Sequence, residues 1–164
     1  MPKLGVHVAF ELQVVNNTPL TGESDARLVA RTFLTQIGYL SPNSDGEIPF
    51  RLFYDAFLLN PEKPWHVEEL EQFLQTSRPT VYRHLNKLKG FDVLEEVNLE
   101  DPITSQTRKA YRLRYGNLAK AWNFVEAHLK VAIDNYAKTV EHLSGLSQRE
   151  RIRPEQTASV VRTV

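Results

Sequence analysis

Apolar residues recur along this chain with two different periods, and the order of those periods predicts its elements. Val6, Val8, Phe10, Leu12 and Val14 alternate with His7, Ala9, Glu11 and Gln13, the period-two pattern of a strand with one buried face. Asn16, Asn17, Thr18 and Pro19 end it with turn residues. No second strand follows nearby, so its partner is expected in the distant strands described below, in a second copy, or at a ligand-dependent surface. The spacing then predicts a helix over 23–39, begun by Ser24 with Asp25 in its first turn and stopped by Gly38. Leu28, Val29, Thr32, Phe33, Gln36 and Ile37 form its apolar face. After a loop at 41–46, Phe50, Phe53, Ala56, Phe57 and Leu58 mark a strongly buried helix over 48–59. An aromatic stripe at this spacing is ordinarily core rather than a cofactor box.

Residues 60–65 read as a turn that neither neighbouring helix crosses, because Pro61 and Pro64 lack backbone donors. A short helix over 67–75 follows, with Leu70, Phe73 and Leu74 inward and Glu68, Glu69, Glu71 and Gln72 outward. Its acidic start suits the helix dipole and makes it a poor phosphate contact along its length. Thr76, Ser77, Arg78 and Pro79 make a sharp turn into a second helix, with Ser77 as its expected cap. On that helix Val81, Leu85 and Leu88 occupy one narrow sector, while Pro79, Tyr82, Arg83, Asn86 and Lys87 lie opposite, with Arg78 and Thr80 at the edges. Gly90 is expected to end it in a left-handed cap. Strands over 93–99 and 108–115 are joined by a polar loop ending at Arg108 and Lys109. In the second strand Tyr111, Leu113 and Tyr115 share a face opposite Arg112 and Arg114.

Charge sharpens this pattern. The 164 residues carry 20 basic and 20 acidic side chains, so attraction to a polyanion must come from local segregation. From residue 78 to 115 there are eight Lys and Arg against five Asp and Glu, whereas 61–77 holds one Lys and four Glu. The outward face of the second helix offers what a major-groove helix uses: Arg for guanine edges, Asn for adenine, and Lys, Thr or Tyr for phosphates. Asp92, Glu95, Glu96, Glu100 and Asp101 make one side of the strand pair acidic. The expected contact therefore moves to the helix and to Arg108 and Lys109 at the expected wing tip.

The run Ser77-Arg-Pro-Thr-Val-Tyr-Arg-His-Leu-Asn-Lys-Leu-Lys-Gly90 resembles the recognition-helix signature of bacterial and archaeal winged-helix transcriptional regulators of the ArsR-like and MarR-like group. The resemblance covers residues 48–115. It implies a winged helix-turn-helix with its recognition helix at 77–89, and contacts to double-stranded DNA from Arg78, Thr80, Tyr82, Arg83, Asn86 and Lys87. It further implies that Arg108 and Lys109 of the wing contact the backbone or minor groove.

A second long pattern lies beyond this region. Asn117 can cap a helix in which Leu118, Trp122, Val125, Leu129, Ala132 or Ile133, Tyr136, Val140 and Leu143 recur in steps of three and four. Such a seam runs about 39 Å at 1.5 Å per residue. It is expected to form a homodimer interface, with packing against the helix at 25–39 of the same chain as the alternative. A two-fold dimer would set two recognition helices about 34 Å apart, one duplex turn. The tail at 144–164, basic at Arg149, Arg151, Arg153 and Arg162, is expected to be a flexible end.

The expected architecture is mostly α with a small β-wing. Residues 1–46 are an accessory strand and helix, 47–115 the winged DNA-binding domain, and 116–143 a long dimerisation helix. There is no Cys, which removes disulfides, thiol catalysis and thiolate metal sites. His7, His66, His84, His128 and His142 show no metal-ligand spacing, and no Gly-rich phosphate loop occurs. We therefore expect no enzyme, cofactor or metal. No apolar run reaches the roughly 18 residues of a membrane span, and the first residues do not follow the plan of a signal peptide. No membrane partner and a cytoplasmic address follow as expectations. A protein-interaction module and a ligand-sensing regulator with an unknown effector remain as alternatives.

Overall fold

The computed structural model describes residues 12–43 and 46–161. Its helices are α1 (Ala26–Gln36), α2 (Glu47–Arg51), a π-helix (Leu52–Leu58) continuing α2, α3 (Val67–Leu74), α4 (Arg78–Lys89) and α5 (Leu118–Val161). Strands β1 (Leu94–Glu100) and β2 (Thr107–Leu113) form an antiparallel pair from Leu94 opposite Leu113 to Glu100 opposite Thr107. This is the winged helix-turn-helix order, mostly helical with a small wing and a long C-terminal helix. The chain divides into two compact units, Met1–Val125 and Glu126–Val164.

The strand expected at 6–14 falls largely outside the described residues. From Leu12 to Leu20 the backbone is irregular, with the Gln13 amide donating to the Ile37 carbonyl at 3.2 Å. Asp25, not Ser24, caps α1: its carboxylate accepts from the amides of Arg27 and Leu28 at 3.0 and 3.3 Å. The buried face is also rotated from the expected one. Ala30, Leu34 and Ile37 are inside and Leu28 is exposed, because Arg27 and Arg31 lay their guanidinium groups over Phe50, at 5.0 and 4.3 Å from its centroid. Gly38, at φ +86°, does stop the helix, a conformation that glycine adopts without steric cost. Asp25→Ala should lower stability by about 1 kcal/mol in a denaturant melt, the usual worth of an N-cap, and an unchanged midpoint would remove the cap assignment.

The helix expected over 48–59 is present but widens into a π-helix, in which Leu52, Phe53, Tyr54, Ala56 and Phe57 are all buried. Its last carbonyls find side-chain partners. Asn60 Nδ2 donates to Asp55 O at 3.0 Å, and Trp65 Nε1 donates to Ala56 O at 3.1 Å, which satisfies groups that a helix end leaves orphaned. Trp65 also exchanges two backbone hydrogen bonds with Tyr111, at 2.7 and 2.8 Å. The expected turn at 60–65 thus ends in a one-residue third rung beside β2.

In α3 the buried residues are Val67, Leu70 and Leu74. Phe73, expected inside, is partly exposed and leans on the Trp65 ring at 5.0 Å. Gln75 takes the left-handed conformation that turns the chain, so α4 begins at Arg78, with Arg78 and Pro79 in its first turn rather than in the bend. Val81, Leu85 and Leu88 are fully buried, as their spacing predicts, and each contributes about 1.5–3 kcal/mol of transfer free energy. Gly90 stays right-handed, and the left-handed residue is Asp92 at φ +64°. β2 ends at Leu113, and Tyr115 leaves the expected strand face at φ +59° within a short 3-10 turn.

The first unit includes α5 as far as Val125. Ala121 and Val125 are fully buried there, and Trp122 meets Phe33 of α1 edge-on at 5.6 Å. Of the expected seam, Val125 is therefore taken up inside the chain, with Leu118 and Trp122 half-buried. The alternative packing on α1 thus holds for the first two turns of α5. In the second unit Leu129 is half-buried, whereas Ile133, Tyr136, Val140 and Leu143 are exposed. The helix runs on through Gly145 to Val161 where a flexible tail from 144 was expected. Among the described residues no helix is long and apolar enough to cross a membrane.

Candidate nucleic-acid interface

The outer face of α4 is built by its inner one. Burial of Val81, Leu85 and Leu88 fixes the rotation of the helix, and that rotation exposes Tyr82, Arg83, Asn86 and Lys87 together. The Arg83 guanidinium lies 3.5 Å from Nε2 of His84. Lys87 Nζ sits 5.9 Å from the Tyr39 ring centroid. Among the described residues neither cation lies within ion-pair distance of a carboxylate. Burial, and then the charges of Arg83 and Lys87, push the His84 imidazole below its usual 6.5. That shift favours the neutral imidazole, and the positive charge of this face comes from Arg83 and Lys87.

The other expected contact residues are placed differently. Thr80 is half-buried, its hydroxyl 3.0 Å from that of Ser77. Ser77 is the N-cap residue, but its side chain makes no hydrogen bond to the amides of the first turn. Arg78 Nε donates to Glu71 Oε2 at 3.0 Å, and its Nη2 lies 3.4 Å from Glu68 Oε1. Arg108 Nη2 donates to Glu68 Oε2 at 2.8 Å. Lys109 Nζ lies 3.2 Å from Glu96 Oε1, and its carbonyl is 3.0 Å from Nδ1 of His66. Among the described residues, four expected residues are thus free of carboxylates on one helix face, and three expected cations are paired.

The wing also departs from expectation. Arg108 and Lys109 stand within β2, opposite Leu99 and Asn98. The tip is the loop between the strands, where the Asp101 carboxylate accepts from the amides of Ile103 and Thr104 at 2.8 and 3.2 Å and Ile103 is almost fully exposed. Those hydrogen bonds hold the Asp101 carboxyl below the usual range. The acidic side of the wing is largely neutralised. Glu95 pairs with Arg112 at 2.7 Å, Asp92 with Arg114 at 2.8 Å, and Glu96 with both Lys89 and Lys109 at 3.3 and 3.2 Å. Hydrogen bonds from Lys109 and Lys89 lower the Glu96 carboxyl.

Sequence reasoning missed Glu68, Lys89 and His66. Glu68 reads as a solvated helix start, and its partner Arg108 lies 40 residues away, beyond any local pattern. Lys89 continues a basic run and only the folded wing brings Glu96 to it. The capping role of Glu69, whose carboxylate accepts from the His66 amide at 3.2 Å, does follow a familiar spacing. Among the described residues no group of His, Asp or Glu is placed to hold a metal ion.

No protein-family model matches the chain, and no curated protein matches it. Among solved structures it is similar to a possible transcriptional regulator from Methanosarcina mazei Go1, with a TM-score of 0.39 and 15% identity over 57% of this chain and 75% of that one.

Proposed function

We propose that the chain is a sequence-specific DNA-binding transcriptional regulator that works as a homodimer, with α4 in the major groove and the wing near Arg108 and Lys109 on the backbone or in the minor groove. The observation that carries this reading is the α4 face. Arg83, Asn86, Lys87 and Tyr82 are exposed together on a helix locked by three fully buried residues. Among the described residues, carboxylates pair with the neighbouring cations but leave this face alone. A merely solvated helix face has no need of that segregation, whereas a groove-reading helix does. The exposed apolar residues Ile133, Tyr136, Val140 and Leu143 supply the surface on which two copies would pair.

Titrating a labelled duplex with the protein across a salt series tests the reading. The logarithm of the association constant should fall linearly with the logarithm of salt concentration, by about 0.9 for each phosphate neutralised. Absence of binding to any duplex at low salt would sink it and favour a protein-interaction module.

One observation favours a ligand-sensing version of the same regulator. Within the first unit, Val29, Phe33, Phe53, Leu58, Leu118 and Trp122 line most of a cavity of about 580 Å³. That volume lies in the range of roughly 300–1,000 Å³ typical of small-molecule sites, and its walls are apolar.

A further inference from the structure

Glu68 stands in the first turn of α3, yet its carboxylate faces two arginines from other elements. Oε2 accepts from Arg108 Nη2 at 2.8 Å, and Oε1 lies 3.4 Å from Arg78 Nη2. Val67, Tyr82, Lys109 and Tyr111 join Glu68 and Arg108 around a notch of about 200 Å³. The notch thus brings the Arg108 guanidinium, two tyrosines and Lys109, whose ammonium is paired with Glu96, groups that hold phosphate oxygens, beside the Glu68 carboxylate. Tyr82 belongs to the outward face of α4, so the notch adjoins the face read above as contacting duplex.

We infer that Glu68 is an internal stand-in for a duplex phosphate: in the free protein it holds Arg108 and, together with Glu71, Arg78, and binding exchanges its carboxylate on Arg108 for a backbone phosphate. The inference rests on the α4 reading and deepens it. A carboxylate presents two oxygens to a guanidinium much as a phosphate does, so the arginines are oriented before the duplex arrives. The pairs are exposed, all three side chains being between 44% and 51% accessible, and exposed pairs are weak enough to exchange. Its own backbone amide, then the charges of Arg108 and Arg78, hold the Glu68 carboxyl below the usual range, so it is ionised under ordinary binding conditions. The negative charge left beside the notch opposes every phosphate alike. Contacts that ignore sequence are thereby weakened, and discrimination falls to the base contacts of α4.

The full chain is titrated, over a salt series, against two labelled duplexes of about 30 base pairs, room for two half-sites. One is recovered by selection from a random pool and the other is unselected. Glu68→Gln should tighten binding to the unselected duplex by about threefold to tenfold, with a smaller gain on the selected one, and should steepen the salt slope by about 0.9, one charge's worth. Glu69→Gln, one residue on and paired with Lys63 at 3.3 Å, should change neither. Glu68→Ala carries the same expectation should the glutamine variant melt below wild type, and Glu68→Asp should keep the wild-type slope. Unchanged or weaker binding by both neutral variants would overturn the inference, as would an equal gain from Glu69→Gln. Wild-type binding that is lost in Arg83→Ala yet unmoved by either neutral Glu68 variant would overturn the exchange alone. Failure of the wild-type chain to bind either duplex would overturn both readings.

Discussion

Arg83→Ala should weaken binding to a selected duplex by about 1–3 kcal/mol, roughly tenfold to a hundredfold, and should erase the preference at one base pair. The side chain is exposed at the middle of α4, between the fully buried Val81 and Leu85. Its rotation toward solvent is therefore fixed by the core rather than by its own contacts. Its guanidinium has no carboxylate partner among the described residues and only a long 3.5 Å contact to His84 Nε2, so its fork remains able to match O6 and N7 of guanine. Arg83→Lys should recover little, since an ammonium cannot make the paired contact. The fold should be untouched, because Ala is a better helix former than Arg on an exposed face.

Competition with duplexes changed one base pair at a time separates the roles on this face. Arg83 should lose discrimination at a single position. Removal of a phosphate-contacting cation would instead lower affinity for all sequences equally and flatten the salt slope by about 0.9. Equal loss on every duplex from Arg83→Ala would move Arg83 to the backbone, and no loss at all would take α4 out of the groove.

What could be read from residue order alone follows from the range of each interaction. The inner sector of α4 was legible because burial of Val81, Leu85 and Leu88 obeys the helical period, and the outward face follows from it by geometry. The wing was legible as two strands and a loop. A boundary shift of a residue or two, however, moves Arg108 and Lys109 from the tip into β2, where pairing and not exposure sets their surroundings. The π-helix was not legible, since a nearly unbroken buried run from Leu52 to Phe57 fits an α-helix equally well. Nor was the left-handed turn at Asp92, because Gly90 offers an obvious site and only the path into β1 decides against it. The ion pairs Glu68–Arg108 and Arg112–Glu95 join residues far apart in sequence, and no periodicity reports them. The α5 seam was legible as an apolar stripe, but a stripe does not name its partner. Phe33 meets Trp122 and Val125 is buried in its first turns, while Ile133, Tyr136, Val140 and Leu143 are left exposed.

That exposed remainder sets the second large effect. Val140→Glu should convert a dimer to a monomer by sedimentation or light scattering, and should lower affinity for a two-half-site duplex by about 100-fold or more while leaving affinity for one half-site nearly unchanged. In the proposed dimer Val140 lies at the seam with Ile133, Tyr136 and Leu143, all well exposed in the single chain. Placing a carboxylate there costs the single chain little, because the site already faces water. In a paired seam the same carboxylate is buried without a counter-charge, a cost of several kcal/mol. The loss on duplex comes from a different term. Two α4 helices joined in one dimer bind their half-sites at a high effective concentration, and separating them forfeits that advantage, which ranges over about 10²–10⁴. The choice of position also separates pairing from folding. Glu at Val125, buried inside the first unit, would disrupt the winged domain itself, whereas Val140→Glu should leave its melting unchanged. A wild-type chain that is monomeric at micromolar concentration would remove the seam as an interface, and half-site spacing would then have to be set by the DNA alone.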